Sequence, residues 1–444
     1  MARRYLMLLM VTLLPVLLQA QEVNPFQDFP EFDLPEIPAV ETLTQNPETT
    51  ASLPEVDPHQ FQGLAWYNFE TNSLDLGSSN PGDFWLSSQT LGLNISYQYK
   101  NLLTLSSLLR FNPKAPENLD LSQVFSQLYL RLIPSSWAYL TMGKQAVKWG
   151  NYRFFSTLDS LDPVTDILSP LSQNQGQALF QSVLIPTDWL SFTLLLMPED
   201  NLRWIRGGVK ADLLLGEVDG GLGVVKYQDL YRRDFASLAL SPQRVDRWAL
   251  FAEASWFPTW FGFYAEATYK MESLRQYVSG TDLIDLSLTG ALRVTVGTQM
   301  TLPSWNPEKN LSLIMEYFYN QEGLSSTWAE DWLSRWENQG SSGTKPLFPT
   351  TFGELCQHYG GVRLGGLPLL GNLSMDLTVL MNLEGGLAIG QSSIHWNWGQ
   401  GVLMGLSYQI QGTLPWWNGH SLNEGLFMPS GWFQRLNLFW QLSF

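Results

Sequence analysis

Charged side chains are scarce in this chain, 15% of 444 residues, and their spacing is regular. Lys210, Asp212, Glu253, Glu266, Arg293, Glu316, Arg363, Asp376 and Arg435 each sit in a run where apolar and polar residues alternate, on the polar parity of that run. In 260–271, Phe261, Phe263, Ala265, Ala267 and Tyr269 oppose Glu266, Thr268 and Lys270; in 308–321, Leu311, Leu313, Met315, Tyr317 and Tyr319 oppose Ser312, Glu316 and Asn320. Both signs occur on successive runs, so opposite charges can pair across neighbouring strands. Two chemistries fit. One is a transverse field that orients a polar solute at a constriction. The other is a set of ion pairs and hydrogen bonds that only fills or stiffens a wet interior.

A second candidate is the long connection 150–176, where Arg153, Asp159, Asp162 and Asp166 accompany Tyr152, Phe154 and Phe155. Acidic and aromatic together, it suits a loop folded into a pore, although an ordinary external loop has the same composition. The three aspartates lack the glycine-turned spacing of a Ca²⁺ loop, so no metal or cofactor is expected. His358, near Arg363, is the sole histidine weighed as a catalytic base, and no Gly-x-Ser-x-Gly, His-Glu-x-x-His or phosphate-loop pattern is present. An enzyme is therefore not expected. Cys356 is the only cysteine, which excludes an intramolecular disulfide and a cysteine-based zinc site.

These residues need elements to hold them. Eighteen alternating segments read as strands: 62–70, 83–98, 101–111, 122–134, 136–149, 177–186, 189–197, 203–214, 217–229, 246–257, 260–271, 285–301, 308–321, 356–367, 372–383, 386–396, 400–411 and 431–444. Parity around Lys144–Lys148 is ambiguous and suggests a bulge. Connections alternate between tight turns and long loops, a pattern of barrels that cross a membrane. At four tight turns Pro is followed closely by Trp (Pro134/Trp137, Pro186/Trp189, Pro258/Trp260, Pro303/Trp305), which marks an interfacial belt. In the loop 322–355, Trp328, Trp332 and Trp336 recur at four-residue steps, as on one face of a short helix or lid.

Residues 1–20 read as a secretory signal: Arg3 and Arg4 precede an apolar run that ends near Leu18-Gln19-Ala20. No later stretch reaches about 18 uninterrupted apolar residues, so any membrane crossing must use strands closed into a barrel. Residues 21–60 are Pro-rich and acidic, an extended periplasmic linker, and 61–444 would form the barrel. The net charge of −16 excludes a nucleic-acid partner. The last run, 432–444, carries Leu436, Leu438, Trp440, Leu442 and Phe444 on one face and Arg435, Asn437 and Gln441 on the other. It would close the ring by pairing near Leu64–Glu70.

The segment Gly143-Lys144-Gln145-Ala146-Val147-Lys148-Trp149-Gly150, followed by Asp162-Pro163, resembles a pattern of bacterial outer-membrane porins of the alginate-export and hydrocarbon-porin type, with Asp162 where Asn is usual. Terminal Phe444 resembles the signal read by the barrel-assembly machinery, and that resemblance implies Trp440, Leu442 and Phe444 as the recognised residues. The combined expectation is all-β: a transmembrane antiparallel up-and-down β-barrel of about 18 strands (16–18) in the outer membrane of a diderm bacterium, a monomer rather than a trimer. Its partners would be outer-membrane lipid, the assembly machinery and a small solute. Passive diffusion of small solutes is the function expected. The alternatives are a gated diffusion transporter for an apolar solute such as a fatty acid, and a structural or adhesive surface barrel.

Overall fold

The computed structural model describes residues 59–74, 84–100, 102–111, 124–158, 176–199, 204–231, 243–279, 282–304, 310–323, 345–346, 356–384, 387–399, 402–413 and 433–443. In chain order the strands are β1 (His59–Leu74), β2 (Phe84–Tyr99), β3 (Leu103–Phe111), β4 (Phe125–Ser135), β5 (Ala138–Gln145), β6 (Gln177–Thr187) and β7 (Leu190–Glu199). Next come β8 (Trp204–Leu215), β9 (Val218–Tyr231), β10 (Gln243–Trp256), β11 (Phe261–Lys270), β12 (Ser273–Ser279), β13 (Asp282–Leu288) and β14 (Ala291–Pro303). The chain then forms β15 (Asn310–Asn320), β16 (Lys345–Pro346), β17 (His358–Pro368), β18 (Leu373–Asn382), β19 (Leu387–Gly399), β20 (Val402–Thr413) and β21 (Phe433–Ser443).

Eighteen of these strands form one antiparallel sheet in which sequence neighbours pair. β1 pairs with β2 on one side and with β21 on the other, from Leu64↔Ser443 to Leu74↔Phe433, so the sheet closes into an up-and-down barrel without a free edge. The closing register falls where the alternation of 432–444 places it. β12, β13 and β16 lie outside the wall as a three-stranded sheet. The expected strand 285–301 is thus two elements: β13 belongs to a hairpin in the long connection, and the wall resumes at Ala291. Gly290 sits at the break, where a Cβ would stand 2.3 Å from the Tyr269 hydroxyl.

The outer wall is apolar at alternate residues. Leu222, Trp248, Leu250, Phe263, Val296, Tyr317, Val379, Leu406 and Leu438 are exposed, while the residues beside them in sequence point inward. A lysine or arginine at the membrane midplane costs about 2–4 kcal/mol, which explains why these positions carry hydrocarbon. Toward the long-loop rim one outward ion pair, Lys226–Asp246 at 2.7 Å, lies beyond Trp248. At the tight-turn rim Trp137, Trp189 and Trp260 are exposed, and their carbonyls accept the N–H groups of Ile185, Leu214 and Thr301 from the adjoining strands. Trp305 of the fourth Pro/Trp turn lies outside the described residues, as do Trp328, Trp332, Trp336 and residues 1–58.

Candidate functional site

The wall is interrupted at β5. Gly143 has φ +126° and approaches β4 so closely that a Cβ would lie 2.3 Å from the Leu128 carbonyl oxygen. Gln145 is the last residue paired in the wall, and its amide donates to Gln181 Oε1 at 3.0 Å. The expected strand to residue 149 therefore ends four positions early. Instead of a bulge, 146–158 turns into the lumen, and the wall resumes where Gly176 N donates to the Ser126 carbonyl.

The inward segment is fixed by two carboxylates. Glu316 on β15 accepts the backbone N–H of Arg153 (2.7 Å), Phe154 (3.0 Å) and Phe155 (2.7 Å), together with the Tyr264 hydroxyl (2.8 Å). Three successive N–H groups around one anion make a nest, and each bond is charge-assisted. Glu266 on β11 accepts Thr157 N at 2.7 Å. Thr295 and Thr268 hydroxyls donate to the Phe155 carbonyl and to Thr157 Oγ1, both at 2.8 Å. Phe155 stacks on Phe318, ring centroids 5.5 Å apart.

Packing completes the attachment. Val147, Trp149 and Leu158 bury against Leu179, Leu195, Met197, Val225 and Phe251, inward residues of β6, β7, β9 and β10. The wall is glycine where the segment comes nearest: a Cβ on Gly208 would lie 3.0 Å from the Trp149 ring, and one on Gly361 would lie 2.5 Å from Phe154. Gly150, with φ +111°, packs on Glu266, where a Cβ would fall 2.0 Å from Oε2. The Gly-Lys-Gln…Trp-Gly stretch thus supplies the exit from the wall (Gly143), the last wall pair (Gln145), the apolar anchor (Trp149) and the tight approach to a carboxylate (Gly150).

Glu266 and Glu316, 2% and 4% exposed, face the segment rather than open lumen. The segment carries exposed cations of its own. Arg153 lies over the Tyr264 ring at 5.5 Å, and its Nε donates to Gln299 Oε1 at 3.3 Å; among the described residues no carboxylate pairs with its guanidinium. Lys148 is also exposed and lies over the Tyr152 ring at 5.2 Å.

The other inward charges gather into three groups. Lys210 bridges Asp212 (2.8 Å) and Glu253 across β8 and β10, over Gly221 of β9, whose missing side chain leaves the space. Arg363 pairs with Asp376 at 2.7 Å; Gly366 N donates to the same carboxylate at 2.8 Å, and His395 Nε2 stands 3.6 Å away. Arg293, 1% exposed, joins Lys270 and Ser273 around Glu322, with Lys270 Nζ at 3.0 Å. Ser273, Glu322 and His395 were not singled out in the sequence, and Lys270 was read there only as a residue of the polar parity. Glu322 lies just past a strand end, where alternation no longer reports direction.

Arg435 stands opposite Gln409 and Asn72, on the inward face with Asn437; its side chain is not among those described. Trp440 and Leu442 share the outward parity of Leu436 and Leu438. Asp159, Asp162, Asp166 and Phe444 lie outside the described residues. His358 is on the parity opposite to Arg363, and its Nδ1 meets the Tyr317 hydroxyl at 2.6 Å on the outer face.

No protein-family profile and no curated protein matches the sequence. Among solved structures, the chain is similar in fold to OpdQ of Pseudomonas aeruginosa (8% identity, 87% of this chain and 97% of that one, TM-score 0.49). It is also similar to OccAB4 of Acinetobacter baumannii (9% identity, 87% and 98%, TM-score 0.47) and to OccK11 (OpdR) of Pseudomonas aeruginosa (12% identity, 86% and 95%, TM-score 0.46).

Proposed function

We propose that this chain is an outer-membrane channel of a diderm bacterium through which small solutes diffuse passively, its aperture set by the inward segment 146–158. The observation that supports the reading is the attachment of that segment to one side of a closed eighteen-strand wall, with the Arg153 guanidinium exposed in the lumen. A ring of this size is wide enough for an aqueous path beside such a segment. The apolar cluster around Trp149 is filled by the segment's own side chains, which favours a channel over a carrier with a greasy binding pocket. The tight-turn rim faces the periplasm, where residues 21–60 act as a tether, and Trp440, Leu442 and Phe444 serve recognition by the assembly machinery.

Purified protein reconstituted in a planar lipid bilayer is expected to give stepwise, ohmic conductance. Silence at every salt concentration, from protein shown to be folded by its heat-dependent gel mobility, would remove the open-channel reading.

A further inference from the structure

Two arginines of the lumen keep donors to spare. Lys210, Lys270 and Arg293 are held by Asp212, Glu253 and Glu322, whereas Arg153 and Arg363 are both exposed. Arg153 donates through Nε to Gln299 Oε1 at 3.3 Å and lies over the Tyr264 ring; among the described residues its two η nitrogens meet no acceptor. Arg363 donates through Nη2 to Asp376 at 2.7 Å, its Nε and Nη1 meet no described acceptor, and its side chain is 45% exposed.

Both are positioned by their surroundings. The Arg153 N–H donates to Glu316 at 2.7 Å, which fixes the root of the side chain. Arg363 stands between Gly361 and Gly365 on the inward parity of β17, so no side chain of its own strand covers it. The register brings the two together. Gln299, which receives Arg153, pairs with Ile314, and Ile314 pairs with Arg363. That is two strand spacings, about 10 Å, a gap that two arginine side chains converging on one solute can close. The neighbouring carboxylates are occupied: Asp376 also accepts Gly366 N at 2.8 Å, and Glu316 is filled by the segment's N–H groups. The exposed acid Asp219 lies at the tight-turn end of β9, three strands along the wall from β14.

From this we infer that Arg153 of the segment and Arg363 of the wall form a two-armed site for small solutes bearing an oxyanion, a carboxylate or a phosphate group. The inference rests on the channel reading and names the charge class of its substrate. A guanidinium presents paired N–H donors that match two oxygens of either group, and each such bond is charge-assisted. One arm belongs to the segment, so the site is complete only while Glu316 holds that segment to the wall.

The test is block of single-channel current by succinate and by inorganic phosphate at low ionic strength, where screening is least. Either anion, added to one side, should interrupt the current in a concentration-dependent way. Arg153→Gln and Arg363→Gln should each weaken the blocking constant about tenfold, the loss of one charge-assisted contact. Lys148→Gln, which removes the segment's other exposed cation, should leave it unchanged. Block by one of the two anions alone supports the site and names the oxyanion it takes. An open channel that neither anion blocks overturns the inference and leaves the channel reading standing; no conductance from folded protein removes both. Equal weakening by Lys148→Gln overturns it in favour of a diffuse positive field. Should Arg363→Gln fail to fold, Arg363→Lys keeps the charge beside Asp376 and loses the planar fork; block retained in full by both Arg363→Lys and Arg153→Gln overturns the inference.

Discussion

At the scale of single residues, Glu316 has the most consequential placement. An inward carboxylate on a barrel strand is ordinarily available to ions, yet this one is occupied by three backbone N–H groups and a tyrosine hydroxyl. Replacing it by alanine strands those donors, each at a cost of about 1–3 kcal/mol when buried. Glu316→Ala is therefore expected to loosen the segment and to give larger, noisier single-channel currents, with Glu316→Gln intermediate because it keeps acceptors. Currents identical to the parent's in amplitude and noise would show that the carboxylate does not hold the segment. The same residue marks how far sequence goes. Parity alone indicates that Glu316, Glu266 and Arg293 point inward, because period-two alternation against lipid is a strong physical constraint. It cannot distinguish a side chain that meets water from one that meets an inward-folded chain, since the partner is more than a hundred residues away in sequence.

Among the elements, the strands were the most legible part, and both exceptions have local causes. β5 reads as a longer strand because Val147 and Trp149 continue the apolar alternation, but those side chains are apolar to meet Leu195 and Val225 inside the lumen rather than lipid outside. The β12–β13 hairpin is hidden because its second strand runs into β14 with no charge or proline between them, only Thr289 and Gly290. Beneath that hairpin, Glu322 accepts from Lys270, Arg293 and Ser273 at the entrance to the longest connection. Removing one partner of a buried ionic group costs about 3–5 kcal/mol, so Glu322→Ala should lower the temperature at which the folded gel species converts to the unfolded one. An unchanged conversion temperature would mean that the group contributes nothing to holding the hairpin rim.

For the whole molecule, the division between a lipid-facing and a lumen-facing surface predicts opposite responses to charge. Leu222, 62% exposed on the outer wall of β9, is expected to tolerate arginine poorly, losing about 2–4 kcal/mol if it lies near the midplane. The yield of heat-modifiable, membrane-inserted protein measures this. If Leu222→Arg inserts as well as the parent, that face does not meet hydrocarbon. The net charge of −16 says little about the path through the barrel, since the described inward acids are engaged by lysine, arginine, histidine or backbone donors, while Lys148 and Arg153 stand exposed on the segment.

The attachment of 146–158 also imposes a chronology. Arg153 and Glu316 are 163 residues apart and Thr157 and Glu266 are 109 apart, so the segment emerges from the translocation machinery long before the strands that receive it. Closing loops of that length is slow, and Trp149, Phe154 and Phe155 have no seat until β8, β15 and β17 arrive. A half-built wall would therefore present a greasy strap with no inner surface yet to cover it.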